Sequence, residues 1–337
     1  MIPRPISYSS LFTPVEDELT QVIATLGMVA STDESVARSA GSDALAAQIE
    51  HILGVPGKRV RPAITLLSAR VSGNQDPPKA ITMATAVELL HIATLVHDDT
   101  VDSADLRRGR ATASNLWGRN VAILLGDYLF AASARFVCAT GNVQVVDRFA
   151  ATIMELSKGE LTELLDAGNP GVGRAAYLDR IFNKTASLFM TASESGAVLG
   201  GADPERAKHL REFGYNLGMA YQVMDDLLDF DSTREQLGKP AGHDLANGVL
   251  TLPAIILMER IGPENPIAKF LASSPDDRKL EMERAIREIR SRGILDECRS
   301  VVEGYVRAAQ ASLSTFAPSA ELESLTALAE FAGTRQS

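Results

Sequence analysis

The stretch from Pro77 to Asp102, PPKAITMATAVELLHIATLVHDDTVD, decides the fold. Pro77 and Pro78 suit the first turn of a helix, where an absent N–H loses no partner. Beyond them, apolar residues crowd more than one face. A surface helix carries one apolar stripe, whereas a helix apolar around most of its girth belongs inside a bundle. The stretch therefore predicts a long buried helix running towards Asp102.

Outward from it, Ala, Leu, Glu and Arg dominate long segments and strand-like alternation is scarce. Helices are predicted at about Val15–Ala30, Glu34–Leu53, Arg61–Val71, Ser114–Ala139, Val143–Ala167, Arg174–Leu199, Pro204–Phe230 and Val249–Arg260. Ser31, Thr32 or Asp33 can cap the second of these. Gly54–Gly57, Gly168–Gly173 and Gly238–Gly242 read as loops, and shorter helices follow Pro266. No repeat or long linker interrupts the chain. The reading is one all-α domain over residues 1–337, with residues 1–10 as a loose leader.

Of the 337 residues, 45% are hydrophobic, enough for a large core. A net charge of -10 argues against bulk nucleic-acid binding. Cys138 and Cys298 lie far apart, suggest neither a disulfide framework nor a metal site, and fit a reducing, cytoplasmic compartment. No uninterrupted run of about eighteen apolar residues occurs, so no membrane span is expected. MIPRPISYSS lacks the apolar core of a signal peptide.

Chemistry concentrates in two aspartate clusters. Asp98, Asp99 and Asp102 stand at i, i+1 and i+4; Asp225, Asp226 and Asp229, in QVMDDLLDFD, repeat the spacing. On a helix, residues four apart share a face, with Cβ atoms about 5–6 Å apart. A solvated helix end explains one such cluster. Two are harder to dismiss, because like charges about 4 Å apart repel by about 4 kcal/mol at an effective dielectric of about 20. A multivalent cation reverses the sign of that term. Carboxylate oxygens suit Mg²⁺, which keeps several waters and shares its shell with substrate phosphates. Arg107 and Arg108 follow the first cluster, and Lys58, Arg59 and Arg61 form a second cationic group in GKRVRP. The arginine fork matches phosphate oxygens. The pattern points to two phosphate-binding sites, one built with metal and one with cations alone.

With HDDTVDSADLRRG, YQVMDDLLD, GKRVRP, ELLHIATLVHDD, the KT of FNKTAS and GKPAGHDLANGVLTLP in this order, the chain resembles the trans-polyprenyl diphosphate synthases over about residues 55–255. The resemblance implies a bundle of antiparallel helices around a deep cavity, usually in a homodimer. It implies condensation of isopentenyl diphosphate with an allylic diphosphate. The two aspartate clusters would face each other across the cavity and hold three Mg²⁺ ions. Asp98 and Asp102 are the best first-cluster ligands, and Asp225 the surest in the second. Arg107, Lys184, Thr185, Gln222 and Lys239 match positions for the allylic diphosphate. Lys58, Arg61, His91 and Arg108 match the site for isopentenyl diphosphate. His97 has a supporting role. Neither nucleic acid nor a membrane span is implied, with peripheral membrane contact at most for product release.

Product length is expected to depend on Ala93, Thr94 and Leu90 on the same helix. Ala93 lies five residues before Asp98, about 7–8 Å along the axis. A bulky aromatic near this point stops the chain early in relatives of that kind; alanine leaves the floor open and favours a long-chain product. A short-chain synthase, making farnesyl or geranylgeranyl diphosphate, is the alternative and shares every catalytic residue. A terpene cyclase would not need the Lys58–Arg61 group, and a non-catalytic subunit would degrade an aspartate motif. The chain departs from the family pattern twice. Pro56–Gly57 precedes Lys58 where many members have two glycines, and Val249 stands where many have a lysine.

Overall fold

Asp76 starts the decisive helix: its carboxylate accepts from the backbone N–H of Lys79 at 3.2 Å, and Pro77 and Pro78 fill the first turn. In a computed structural model of the protein, which describes residues 8–29, 42–231 and 241–335, this helix runs Pro77–Val101. Before it come α1 (Tyr8–Leu11), a 3₁₀ turn (Thr13–Val15), α2 (Glu16–Met28), α3 (Ser42–Leu53) and α4 (Val60–Val71), so the decisive helix is α5. After it come α6 (Ala113–Trp117), α7 (Arg119–Ala139), α8 (Val143–Asp166), α9 (Arg174–Ile181), α10 (Ser187–Gly200) and α11 (Pro204–Asp231). The chain continues through α12 (His243–Ala246), α13 (Leu252–Ile261), α14 (Pro266–Ala272), α15 (Pro275–Ser291), α16 (Ile294–Ser312) and α17 (Ala320–Thr334). The all-α expectation holds.

Three local features differ from the sequence reading. Gly118, at φ 84°, separates α6 from α7, a backbone state that needs glycine. A π-turn at Phe182–Ala186 separates α9 from α10. Leu106–Arg107 (β1) and Arg110–Ala111 (β2) pair as a small antiparallel hairpin. Its turn residues Arg108 (φ 50°) and Gly109 (φ 77°) both have positive φ, the signature of a type I′ turn. The expected cap among residues 31–33 lies outside the described residues.

The chain divides into two compact units, each assembled from separated stretches of sequence. The first comprises Met1–Phe149, Thr191–Lys208 and Phe316–Leu325. In it α5 packs on α2, α4 and α7. Every residue from Met83 to Leu90 is buried, including Glu88, which Arg59 neutralises. Backbones approach closely where glycine allows. A Cβ on Gly126 would lie 2.2 Å from His97 Nε2, and one on Gly196 would lie 2.2 Å from the carbonyl oxygen of Thr65.

The second unit comprises Ala150–Met190, His209–Thr315 and Thr326–Ser337. Its core gathers Tyr177, Ile181, Val223, Leu227, Phe230, Leu245, Ile255 and Ile294. Two glycines bring neighbouring helices onto the π-turn. A Cβ on Gly159 (α8) would sit 2.5 Å from the backbone N of Lys184, and one on Gly218 (α11) 2.6 Å from Cα of Ala186. The turn is thereby clasped from two helices.

By averaged hydropathy, although neither is an uninterrupted apolar run, α5 and α7 are both long and apolar enough to cross a membrane by length and composition alone. In α5 the apolar window is 67% buried, but in α7 only 33%.

The clasp is testable. Gly→Ala inside a helix ordinarily stabilises by about 1 kcal/mol, whereas overpacking against fixed backbone costs about 1–3 kcal/mol. Gly159→Ala is expected to lower the unfolding free energy by about 1–2 kcal/mol in urea titrations. An unchanged or raised midpoint would show that Gly159 is not held against the Lys184 backbone.

Candidate active site

Both aspartate clusters stand on long helices, α5 and α11. Asp225, Asp226 and Asp229 lie on α11, and Asp98 and Asp99 lie at the C-terminal end of α5 with Asp102 as its C-cap. Unsatisfied carbonyls make that end of a helix negative, so carboxylates there are disfavoured by up to about 1 kcal/mol each. Helix chemistry does not select this placement; a cation would.

In the first unit the hairpin turns Arg107 back onto α5. Its Nε donates to Asp99 Oδ2 at 2.6 Å, and Asp99 is buried. Asp98 is half-buried and Asp102 exposed. Arg108 donates to the carbonyl oxygen of Pro56, beside Lys58. Arg61 Nη1 lies 3.0 Å from His91 Nε2. Because guanidinium only donates, Nε2 accepts and the imidazole proton resides on Nδ1. Burial, then Arg61, Arg108, Arg107 and Arg59, hold His91 well below its ordinary pKa, so it is neutral. The proposed isopentenyl diphosphate residues Arg61, His91 and Arg108 thus share one electropositive neighbourhood, with Lys58 on the adjoining loop.

Other residues there have structural duties. Arg59, at φ 51° before α4, is committed to Glu88. His97 Nε2 lies 3.1 Å from the carbonyl oxygen of Ile123, bracing α5 against α7. His51, unmarked by sequence reasoning, donates from Nε2 to the Ala111 carbonyl at 3.2 Å and accepts from Arg110 at Nδ1 at 3.1 Å, tying the hairpin to α3. Ala93 and Leu90 are fully buried, and Thr94 Oγ1 donates to the carbonyl of His91 at 2.8 Å.

In the second unit the π-turn presents Lys184 and Thr185. Lys184 Nζ lies 2.6 Å from Glu163 and 2.9 Å from Glu160. Burial works against its charge, but the two carboxylates more than offset this and raise its pKa. Thr185 Oγ1 donates to Gln222 Oε1 at 2.7 Å, and Gln222 Nε2 donates to Asp226 Oδ1 at 2.8 Å. Tyr177 O–H donates to Asp226 Oδ2 at 2.7 Å. Lys184, Gln222 and Asp226 line a pocket of about 130 Å³, with Glu163, Arg180, Asp244, Val249 and Thr251 also in its wall. Burial pushes Asp226 up to about 7. It pushes Asp244 up to about 8, helped by the charges of Asp226, Asp229 and Glu163.

The remaining aspartates of the second cluster diverge. Asp225 points outward and pairs with Arg335, whose guanidinium also stacks 3.7 Å from the Tyr221 ring centroid. Asp229 accepts from the backbone N–H groups of His243 and Asp244 at 3.1 and 3.2 Å, opening α12. Lys239 lies outside the described residues. Tyr177, Glu160, Glu163, Arg180 and Arg335 carry no motif of their own. Asp244 did stand in a quoted motif, but nothing in sequence marked it as part of the pocket wall.

These carboxylates fit a divalent cation. Asp226 and Asp244, buried, resist ionising until positive charge arrives. Each oxygen engaged by a single donor keeps a second lone pair. Among the described residues no three such donors converge as a ready-made cage. That suits Mg²⁺, which completes its shell with water and substrate phosphate rather than with protein alone.

Comparison with known proteins agrees with this geometry. The family model described as polyprenyl synthetase matches residues 42–289. Octaprenyl diphosphate synthase of Escherichia coli is 33% identical over 84% of this chain and 87% of its own. Heptaprenyl diphosphate synthase component 2 of Bacillus subtilis is 36% identical over 85% of this chain and 81% of its own. A polyprenyl synthase of Caulobacter crescentus, solved with calcium and isoprenyl diphosphate, superposes with a TM-score of 0.87, at 34% identity and 99% coverage of both chains. With the family model spanning most of the chain and its motif residues gathered as described, the protein belongs to the polyprenyl synthetase family of prenyltransferases.

Proposed function

We propose that the protein condenses isopentenyl diphosphate with an allylic diphosphate and repeats the step to give a long-chain all-trans polyprenyl diphosphate. The observation that carries this is the crowding of aspartates on two helices, Asp98, Asp99 and Asp102 at the end of α5 and Asp225, Asp226 and Asp229 on α11, each with separate cations nearby. The aspartates Asp98, Asp99, Asp102, Asp225, Asp226 and Asp229 are assigned to divalent metal, taken as three Mg²⁺ ions. Bound there, Mg²⁺ neutralises charge on a leaving diphosphate.

The chain's own residues do the rest. Lys184, held by Glu160 and Glu163, brings a fixed positive charge to the allylic diphosphate. Thr185 and Gln222 position Asp226 through one chain of hydrogen bonds. Arg107 and Lys239 are assigned to the same diphosphate. Lys58, Arg61, neutral His91 and Arg108 anchor isopentenyl diphosphate. As the allylic carbon–oxygen bond breaks, the double bond of isopentenyl diphosphate attacks the cation, and a proton passes to the departing diphosphate. No protein nucleophile takes part, and buried apolar side chains keep water from the cation. Both units are assigned to this one catalytic domain, and a cytoplasmic location belongs to the same reading.

Long-chain output is supported by the small side chain of Ala93 and by relatives named for octaprenyl and heptaprenyl products. A homodimer is supported by α7, whose Leu124 is 67% exposed and Ile123 39% exposed on a mostly uncovered apolar helix. One relative is named as component 2 of its synthase, which favours a heteromeric partner as the second reading.

Purified protein with Mg²⁺, isopentenyl diphosphate and farnesyl diphosphate is expected to give products beyond four isoprene units, and chelation to abolish them. No elongation from any allylic primer would sink the assignment; products stopping at four units would sink the long-chain part. Ala93→Phe is expected to shorten the product while sparing the first condensation, and an unchanged product length would exclude this wall as the ruler. Leu124→Glu is expected to convert a dimer into monomer by light scattering. Wild-type protein that is monomeric and idle until a second component is added would favour the heteromer instead.

A further inference from the structure

Val249, an uncharged residue, lines the second unit's pocket. The pocket wall holds three carboxylates, Glu163, Asp226 and Asp244. The segment after Asp244 brings no positive charge to this wall, yet a second cation stands there beside Lys184. It is Arg180, one turn before Lys184.

Arg180 is 3% exposed and reaches the same wall from α9. Its Nη2 donates to the carbonyl oxygen of Leu250 at 2.6 Å, so the guanidinium lies against the backbone beside Val249. Its Nε is 3.8 Å from Glu163 Oε2, while Lys184 takes Glu163 Oε1 at 2.6 Å. Glu163 is thus held between two cations. Without Arg180, Lys184 would be the one cation among these lining residues, and it is already shared with Glu160. Thr251 adds an independent observation: its buried Oγ1 has no hydrogen-bond partner, although the residue lines the pocket. A polar atom so placed fits a guest that can hydrogen-bond.

We propose that Arg180 supplies the pocket cation that Val249 does not, positioning Glu163 and the residue 248–251 segment so that the pocket accepts a metal-bound diphosphate. The proposal rests on the prenyltransferase reading above. Arg180 acts here as a positioning residue, its guanidinium set between the Leu250 carbonyl and Glu163. A lone buried arginine would cost stability. Here the carbonyl of Leu250 and the charge of Glu163 offset that cost.

The test is a charge exchange read by calorimetric titration of inorganic diphosphate in the presence of Mg²⁺. Arg180→Gln keeps a donor for the Leu250 carbonyl but removes the charge, and is expected to weaken binding about tenfold. Adding Val249→Lys to it is expected to restore binding to within about threefold of wild type, a coupling that a purely structural arginine would not show. Val249→Lys alone is expected to gain less than about twofold, since the charge is already supplied. Binding by Arg180→Gln at wild-type strength, or a double variant no better than Arg180→Gln, would overturn the proposal. So would a tenfold gain from Val249→Lys alone, an outcome that does not depend on Arg180→Gln folding. The elongation assay on wild-type protein is separate: its failure removes the activity assignment, while the dependence of diphosphate binding on Arg180 stands or falls by titration.

Discussion

Carboxylates crowded together on a helix are the constraint on which this site depends. Asp98, Asp99 and Asp102 close α5, and Asp225, Asp226 and Asp229 crowd together on α11. Neither helix gains from the charge, and both hold it beside apolar sequence. Each unit answers locally. Arg107 folds back onto Asp99 through a type I′ hairpin, Tyr177 and Gln222 satisfy Asp226, and Arg335 meets Asp225. These contacts hold the acidic groups in place and leave carboxylate lone pairs that a divalent cation could take.

The second unit shows how packing serves that arrangement. A π-turn interrupts the register between α9 and α10 where Lys184 and Thr185 stand. Such turns add a residue to the helical ladder and re-aim side chains. Gly159 and Gly218 let α8 and α11 press against this turn, so the ammonium of Lys184 reaches Glu160 and Glu163 while Thr185 reaches Gln222. The first unit uses glycine in the same way where Gly126 admits His97.

Much of the architecture was legible in the chain because helices announce themselves locally. The proline pair at 77–78, the continuous burial of α5 and the repeated aspartate spacing all follow from neighbours in sequence. The hairpin at Leu106–Ala111 was missed, since Arg-Gly at its turn is a weak signal without strands around it. The π-turn was missed because Phe182–Ala186 carries no proline or glycine to mark a break. Gly118, which does carry that mark, was passed over within a strongly apolar run.

Residue type and spacing alone determined the helical class, the two acidic clusters and the cationic groups that accompany them, because helical periodicity and charge are properties of short stretches. Only the tertiary structure decided which partner each group holds. Asp99 faces Arg107, His91 is kept neutral with its proton on Nδ1, Asp229 opens a short helix, and Arg180 stands in the pocket wall beside Val249. Those assignments join residues up to 110 positions apart, as for Asp225 and Arg335. They depend on burial and backbone approach, which no local pattern encodes.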